Sequence, residues 1–131
     1  MGNIIILLAM IQCHIIDDYY LQGILAKMKQ KKFWQENAPQ KLYKSDYVCA
    51  LITHAFSWTF SIMLPIMVVW HYGNISLKWW GFIGVFALNW IIHAIVDNAK
   101  ANKLKINLII DQLIHMFQIV VTWLIFVEVC E

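Results

Sequence analysis

The chain has 131 residues, of which 61% are hydrophobic and only 14% charged, with a net charge of +2 and a mean hydropathy of +0.62. Soluble domains usually carry about 45–50% apolar and about 25% charged residues, so this composition excludes an ordinary soluble domain. The small net charge, without an array of basic and aromatic residues, also excludes nucleic acid as a partner.

Four apolar stretches follow one another along the chain, at residues 3–25, 47–70, 79–97 and 106–127. Each approaches or exceeds the ~20 residues that a helix needs to cross a bilayer. The first is not a signal peptide, because it lacks a basic start and carries two aspartates. We therefore predict an all-α integral membrane protein: one domain over residues 1–131, built as a four-helix transmembrane bundle.

The lysines predict the orientation of this bundle. Six lie between the first two apolar stretches and three between the last two, whereas the middle connection has only Lys78. Positive residues are retained on the cytoplasmic side, so both lysine-rich loops should be cytoplasmic and both termini exterior. The expected location is the bacterial inner (plasma) membrane, with the lipid bilayer as partner and the lysines near anionic headgroups.

Histidine and aspartate recur at a spacing of four within the apolar stretches. The first holds His14 and Asp18, the third His93 and Asp97, and the fourth Asp111 and His115 in reverse order, while the second holds His54 alone. Residues four apart share one face of a helix. Asp17 lies ~100° around the helix from Asp18, so the spacing favours Asp18 as the inward residue.

The order within each pair predicts two layers. Helices one and three run toward the cytoplasm and helices two and four run away from it, so all seven residues fall in the cytoplasmic half. In each pair the aspartate is then nearer the cytoplasm and the histidine deeper. The reversed order in helix four is what an antiparallel helix needs to build the same two layers.

Buried carboxylates in these positions predict a metal site. Each mid-membrane aspartate costs roughly 2.5–3.5 kcal/mol, and buried charges are normally paired or bound to metals. Imidazole and carboxylate together suit zinc, iron, manganese or nickel. We predict one or two divalent ions, zinc first, because seven candidates exceed the four ligands of one tetrahedral ion. The predicted ligands are His14, Asp18, His54, His93, Asp97, Asp111 and His115.

These motifs resemble those of a family of small multi-pass proteins of bacteria and phages, known only as a domain of unknown function. The resemblance is carried by H-x-x-x-D-Y-Y-L-Q (14–22) with Lys27, the histidine that opens helix two, H-A-x-x-D-x-x-K (93–100) and D-Q-x-x-H (111–115). More loosely, the chain is similar to membrane-bound metal-dependent hydrolases, although their histidine-rich opening motif is absent here.

The function that we predict is a metal-dependent hydrolase acting on a lipid or lipid-linked ester, phosphoester or amide near the cytoplasmic leaflet. An aspartate that stays off the metal (Asp18, Asp97 or Asp111) would act as general base. Lys27 and Lys100 would hold substrate phosphate or compensate the carboxylates, and Gln22 and Gln112 would orient ligands.

Three alternatives stay open. A divalent-cation or proton transporter also uses intramembrane Asp/His chains, and a b-type haem protein uses axial histidines. Asp–His pairs that only hold helices together would contribute ~0.6 kcal/mol per contact. Four helices make a thin wall around a polar centre, so a homodimer is a further expectation.

Overall fold

The computed structural model describes the backbone of residues 2–72 and 78–130 and the side chains of residues 3–72 and 78–126. Within these ranges the chain is helical and contains no strand. The first helix, α1, continues directly into a π-helical turn, and three short elements separate it from three long helices. In chain order the elements are α1 (Gly2–Ile15), the π turn (Ile16–Leu21), α2 (Leu25–Met28), α3 (Lys31–Asn37), a 3-10 turn (Lys41–Tyr43), α4 (Asp46–Tyr72), α5 (Trp79–Ala101) and α6 (Leu108–Cys130).

Four helical segments are long and apolar enough to cross a membrane, which confirms the prediction of an all-α chain with four such helices. They are Asn3–Leu21, Lys41–Tyr72, Trp79–Ala101 and Leu108–Phe126. Most bounds differ from the prediction by a few residues, and two of these differences bear on the polar residues. The first segment ends at Leu21, before Gly23 adopts a φ of +47°, and α5 continues to Ala101, so that Lys100 belongs to the helix.

The long helices form a closed ring. Helix α1 packs against α4 and α6, and α5 packs against the same two helices, as in an up-and-down four-helix bundle. The Asn102 side chain joins the two lysine-rich connections: its Oδ1 accepts from the Lys31 backbone N–H at 2.7 Å and its Nδ2 donates to the Lys29 carbonyl at 3.0 Å. Both connections therefore lie at one end of the bundle, which we call the lysine end.

Polarity is inverted relative to a soluble protein. Large apolar side chains such as Ile52, Phe60, Ile95 and Phe117 are exposed along the outer faces, while histidines, aspartates and amides are buried. An apolar core fills the half of the bundle away from the lysine end. Its buried residues are Met10, Trp58, Ile62, Met63, Ile66, Ile119 and Phe126. The half nearer the lysine end is left for polar side chains.

Candidate metal centre

The π turn places two consecutive carboxylates inside the bundle. Its i→i+5 hydrogen bonds put more residues in each turn than an α-helix has, so neighbouring side chains are separated by a smaller angle. Asp17 and Asp18 are accordingly both buried, with 1% and 5% of their surface exposed. The spacing favoured Asp18 as the inward residue over Asp17 because it assumed α-helical geometry, whereas in the structure both residues are buried. Single π turns are frequent at functional sites.

Asp17 is held by α4. Its Oδ1 accepts hydrogen bonds from Ser57 Oγ at 2.6 Å and Ser61 Oγ at 3.1 Å. Its Oδ2 lies 3.9 Å from Nδ1 of His54, on the side of the ring opposite the other histidines. At this distance the two atoms do not form a hydrogen bond, and neither has another hydrogen-bond partner among the described residues.

Three histidine rings meet in front of Asp17. The Nε2 atoms of His54 and His93 are 3.3 Å apart, and the rings of His93 and His115 stack with their centroids 4.1 Å apart. The indole of Trp58 also stacks on the His93 ring, with the two centroids 4.1 Å apart. All three histidines are at most 1% exposed.

Carboxylate oxygens surround these ring nitrogens on the side of the lysine end. His54 Nε2 lies 3.3 Å from Asp18 Oδ1 and 3.4 Å from Asp97 Oδ2. His115 Nε2 lies 3.5 Å from Asp111 Oδ1 and 3.7 Å from Asp97 Oδ1. Three sets of potential ligand atoms lie within 4.8 Å of one another: Asp18, His54 and His93; His93, Asp97 and His115; and Asp18, Asp111 and His115. The structure thus brings six of the seven predicted ligands together.

His14 has a different position. Trp58 Nε1 donates to His14 Nδ1 at 2.7 Å, so the ring proton is on Nε2, which then donates to Gln112 Oε1 at 3.1 Å. Both ring nitrogens are occupied, and His14 belongs to none of the three sets. It instead orients Gln112, whose Nε2 donates to Asp18 Oδ2 at 2.8 Å and to Asp111 Oδ2 at 3.2 Å.

The two lysines that enter the site only partly match the prediction. Lys100 Nζ donates to Asp111 Oδ2 at 2.5 Å, in agreement with a compensating role. Lys27 is exposed, and Lys29 is the buried lysine, with Nζ 2.6 Å from Asp97 Oδ2. Gln22 does not reach a carboxylate, because its Nε2 donates to the Asp18 backbone carbonyl.

A chain of amides that the sequence reasoning missed lies behind His115. Gln118 Nε2 donates to the Asn89 carbonyl at 3.3 Å and to Asn89 Oδ1 at 3.2 Å, while Asn89 Nδ2 donates to Thr122 Oγ1 at 2.8 Å. Because a carbonyl only accepts, these contacts turn Gln118 Oε1 toward His115 Nδ1, 3.3 Å away. Nδ1 therefore carries a proton, and Nε2 faces the carboxylates of Asp97 and Asp111. The sequence does contain a signal for this amide chain: Asn89 lies four residues before His93, and Gln118 lies four residues before Thr122.

Not all polar atoms of this site are paired within the part of the chain that the structure describes. His115 Nε2 and Asp111 Oδ1 are buried without a hydrogen-bond partner there, as are His54 Nδ1 and Asp17 Oδ2. Around them, four buried carboxylates (Asp17, Asp18, Asp97 and Asp111) meet two ammonium groups, those of Lys29 and Lys100. With neutral histidines the cluster carries two net negative charges. Imidazole nitrogens and carboxylate oxygens grouped in this way could hold a metal ion.

Comparison of the chain with protein-family models, with curated proteins and with solved structures finds no match in any of the three. The bundle and its centre are therefore interpreted from their own geometry.

Proposed function

We propose that this chain is a metal-dependent hydrolase of the membrane, acting on a lipid or lipid-linked ester, phosphoester or amide near the cytoplasmic leaflet. One observation carries the proposal: potential ligand atoms of His93, Asp97 and His115 lie within 4.8 Å of one another in a closed interior, and His115 Nε2 has no hydrogen-bond partner among the described residues. A cation satisfies these atoms at once, whereas helix cohesion alone would be better served by donor–acceptor pairs.

His93, Asp97 and His115, which form one of the three sets, would hold the ion. A single ion is favoured over two, because one divalent charge balances the net charge of the cluster. Zinc is favoured among the metals, since catalytic zinc uses three protein ligands and leaves one position for water. When bound, such an ion lowers the pKa of its water to about 7 and so supplies hydroxide near neutral pH.

The remaining carboxylates and lysines have separable tasks. Asp111 is the best proton acceptor, because Oδ2 is held by Lys100 and Gln112 whereas Oδ1 is unpartnered. The Lys100 side chain is 30% exposed, so it lies at the rim, where the oxygen of an incoming ester or phosphoester would meet a positive charge. Lys29 neutralises Asp97 and keeps that carboxylate from acting as a second base.

The first test asks whether the histidines act on one ion. We expect wild-type protein, purified in detergent, to contain about one metal ion per chain by elemental analysis. His93→Ala and His115→Ala should each remove most of it, and the double variant should be little worse, because ligands of one ion are strongly non-additive. His71→Ala, which alters an exposed histidine at the far end of α4, is the control and should keep full metal.

A second test separates ligand from base. Asp97→Asn should lower metal content in a folded protein, whereas Asp111→Asn should keep the metal and lose hydrolysis of a panel of lipid esters and phosphoesters by about 10²–10⁴-fold. If Asp97→Asn keeps its metal and Asp111→Asn loses it, the two roles are exchanged. A metal-free wild type in which the histidine variants lose stability additively would end the proposal.

A divalent-cation transporter is the second candidate, favoured by the amide chain that continues from His115 away from the lysine end to Thr122. Beyond Thr122 lies the apolar core with Phe126, which argues against an open path. Metal uptake by proteoliposomes, without hydrolysis, would favour this candidate. Haem is disfavoured, because facing nitrogens 3.3 Å apart leave no room for a porphyrin between them.

A further inference from the structure

A second concave site lies at the lysine end, outside the metal centre. It is a pocket of about 380 Å³ between α3, the 3-10 turn and the first turn of α4. Its walls include three lysines and two aromatic residues, Lys31, Lys41, Lys44, Trp34 and Tyr47. Neither the metal centre nor the proposed hydrolysis uses these residues.

The charge of this pocket is not balanced by the protein. Among the described residues that line it, three carry ammonium groups and none carries a carboxylate. The acidic residue of α3, Glu36, is instead paired with Lys32, whose Nζ lies 3.6 Å from Glu36 Oε1. Lys31 therefore faces the pocket without a carboxylate partner there. Three ammonium groups around one hollow favour an anion.

Aromatic side chains give the pocket a fixed wall. The Lys31 ammonium lies 4.9 Å from the centre of the Tyr47 ring, and Trp34 Nε1 donates to the Met28 carbonyl at 2.7 Å. Trp and Tyr are enriched where membrane proteins meet headgroups. The pocket also lies beside the first residues of the candidate span Lys41–Tyr72, so in a membrane it would open at headgroup level.

We propose that this pocket binds the phosphate of an anionic lipid headgroup. Basic pockets at the cytoplasmic ends of membrane helices take such headgroups, and lysine binds phosphate as a point charge. The inference does not rest on the metal centre, and either can fail without the other. Asn102, bonded to Lys31 and Lys29, would connect an occupied pocket to the segment that supplies Lys29 to Asp97.

The test compares two variants with the same change in charge. Lys31→Gln/Lys41→Gln/Lys44→Gln removes the lysines of the pocket, whereas Lys32→Gln/Lys103→Gln/Lys105→Gln removes three exposed lysines at the same end but outside it. Each is placed in nanodiscs of phosphatidylcholine with a minor fraction of phosphatidylglycerol, and retained lipid is measured by native mass spectrometry. The amount of retained phosphatidylglycerol should fall roughly 10- to 100-fold in the pocket variant. It should change little in the control variant. Lys31→Arg/Lys41→Arg/Lys44→Arg should keep it, because the charge is preserved.

All the substituted lysines are exposed, so each variant should melt at the wild-type Tm. Equal losses in both glutamine variants would overturn the proposal in favour of diffuse attraction to the whole lysine end. A second outcome would overturn the proposal that the bound phosphate belongs to a lipid: saturable binding of inorganic phosphate in detergent, with no preference for phosphatidylglycerol over phosphatidylcholine. That outcome would assign the pocket to a soluble phosphate compound.

Discussion

Two of the four buried histidines have a hydrogen bond that bears on which ring nitrogen faces the centre. Gln118 Oε1 accepts from His115 Nδ1, so Nε2 of that ring faces the carboxylates. His14, by contrast, accepts from Trp58 at Nδ1 and donates to Gln112 from Nε2, so neither of its nitrogens is available to a metal. The two rings differ because one neighbour accepts and the other donates, which the residue type histidine does not reveal.

The amide behind His115 gives a prediction at this scale. Gln118→Leu removes the acceptor that keeps the proton on Nδ1, so the ring can present an N–H instead of a lone pair. Loss of such a partner typically lowers metal affinity 10–100-fold. Titration with zinc under a competing chelator measures it.

Thr59→Val is the matched control for this substitution. Thr59 is also fully buried, but its hydroxyl has no partner among the described residues, so its removal should leave zinc affinity unchanged. If the two variants bind zinc equally, the amide chain has no part in the centre.

At the scale of elements, the connection after α1 determines which lysine pairs with Asp97. The chain leaves the π turn through Gly23, whose φ of +47° is in the left-handed region. Residues after this break no longer share a helical register with Asp18. Lys29, rather than Lys27, consequently reaches Asp97 from the C-terminal end of α2, where it is the capping residue.

The Gly23 turn can be tested by adding one methyl group. A side chain in the left-handed region costs about 1–2 kcal/mol, so Gly23→Ala should lower the free energy of unfolding by about that amount and loosen Lys29. Gly84→Ala, in the middle of α5 with open space around it, should instead stabilise by about 0.5–1 kcal/mol. Denaturant titration in detergent compares them, and equal effects would contradict the role of the turn.

The sequence predicted those parts of the centre that depend on regular helices. The spacing of four placed Asp97 with His93 and Asp111 with His115, and their carboxylates and rings do meet. It missed the inward position of Asp17, because the π turn is stabilised by Ser57 and Ser61 on another helix. Such contacts between helices have no local signal in the chain.

At the scale of the whole molecule, one end differs from the other. The lysine end carries the histidine–aspartate cluster and the lysine-rich connections, whereas the other half holds the apolar core, which the amide chain enters only as far as Thr122. This asymmetry is consistent with insertion in one direction, the lysine end toward the cytoplasm.

Labelling of single cysteines tests this orientation. In a chain with Cys13, Cys49 and Cys130 replaced by alanine, Lys31→Cys should resist a membrane-impermeant maleimide in intact cells and react in inverted vesicles. Lys78→Cys, at the start of α5, should show the opposite pattern. Reaction of Lys31→Cys from outside intact cells would reverse the orientation and with it the leaflet that the proposed substrate occupies.

The two partners of each ion pair are also synthesised in a fixed order, because the ribosome makes the chain from its N-terminus. Lys29 is synthesised before Asp97, and Lys100 before Asp111, so each of these two carboxylates emerges after its counter-charge. Asp17 and Asp18 instead precede their partners, which are Ser57 and Ser61 for Asp17 and Gln112 for Asp18. In a membrane, α1 would therefore enter with both carboxylates unpaired, whereas α5 and α6 would follow the lysines that neutralise Asp97 and Asp111.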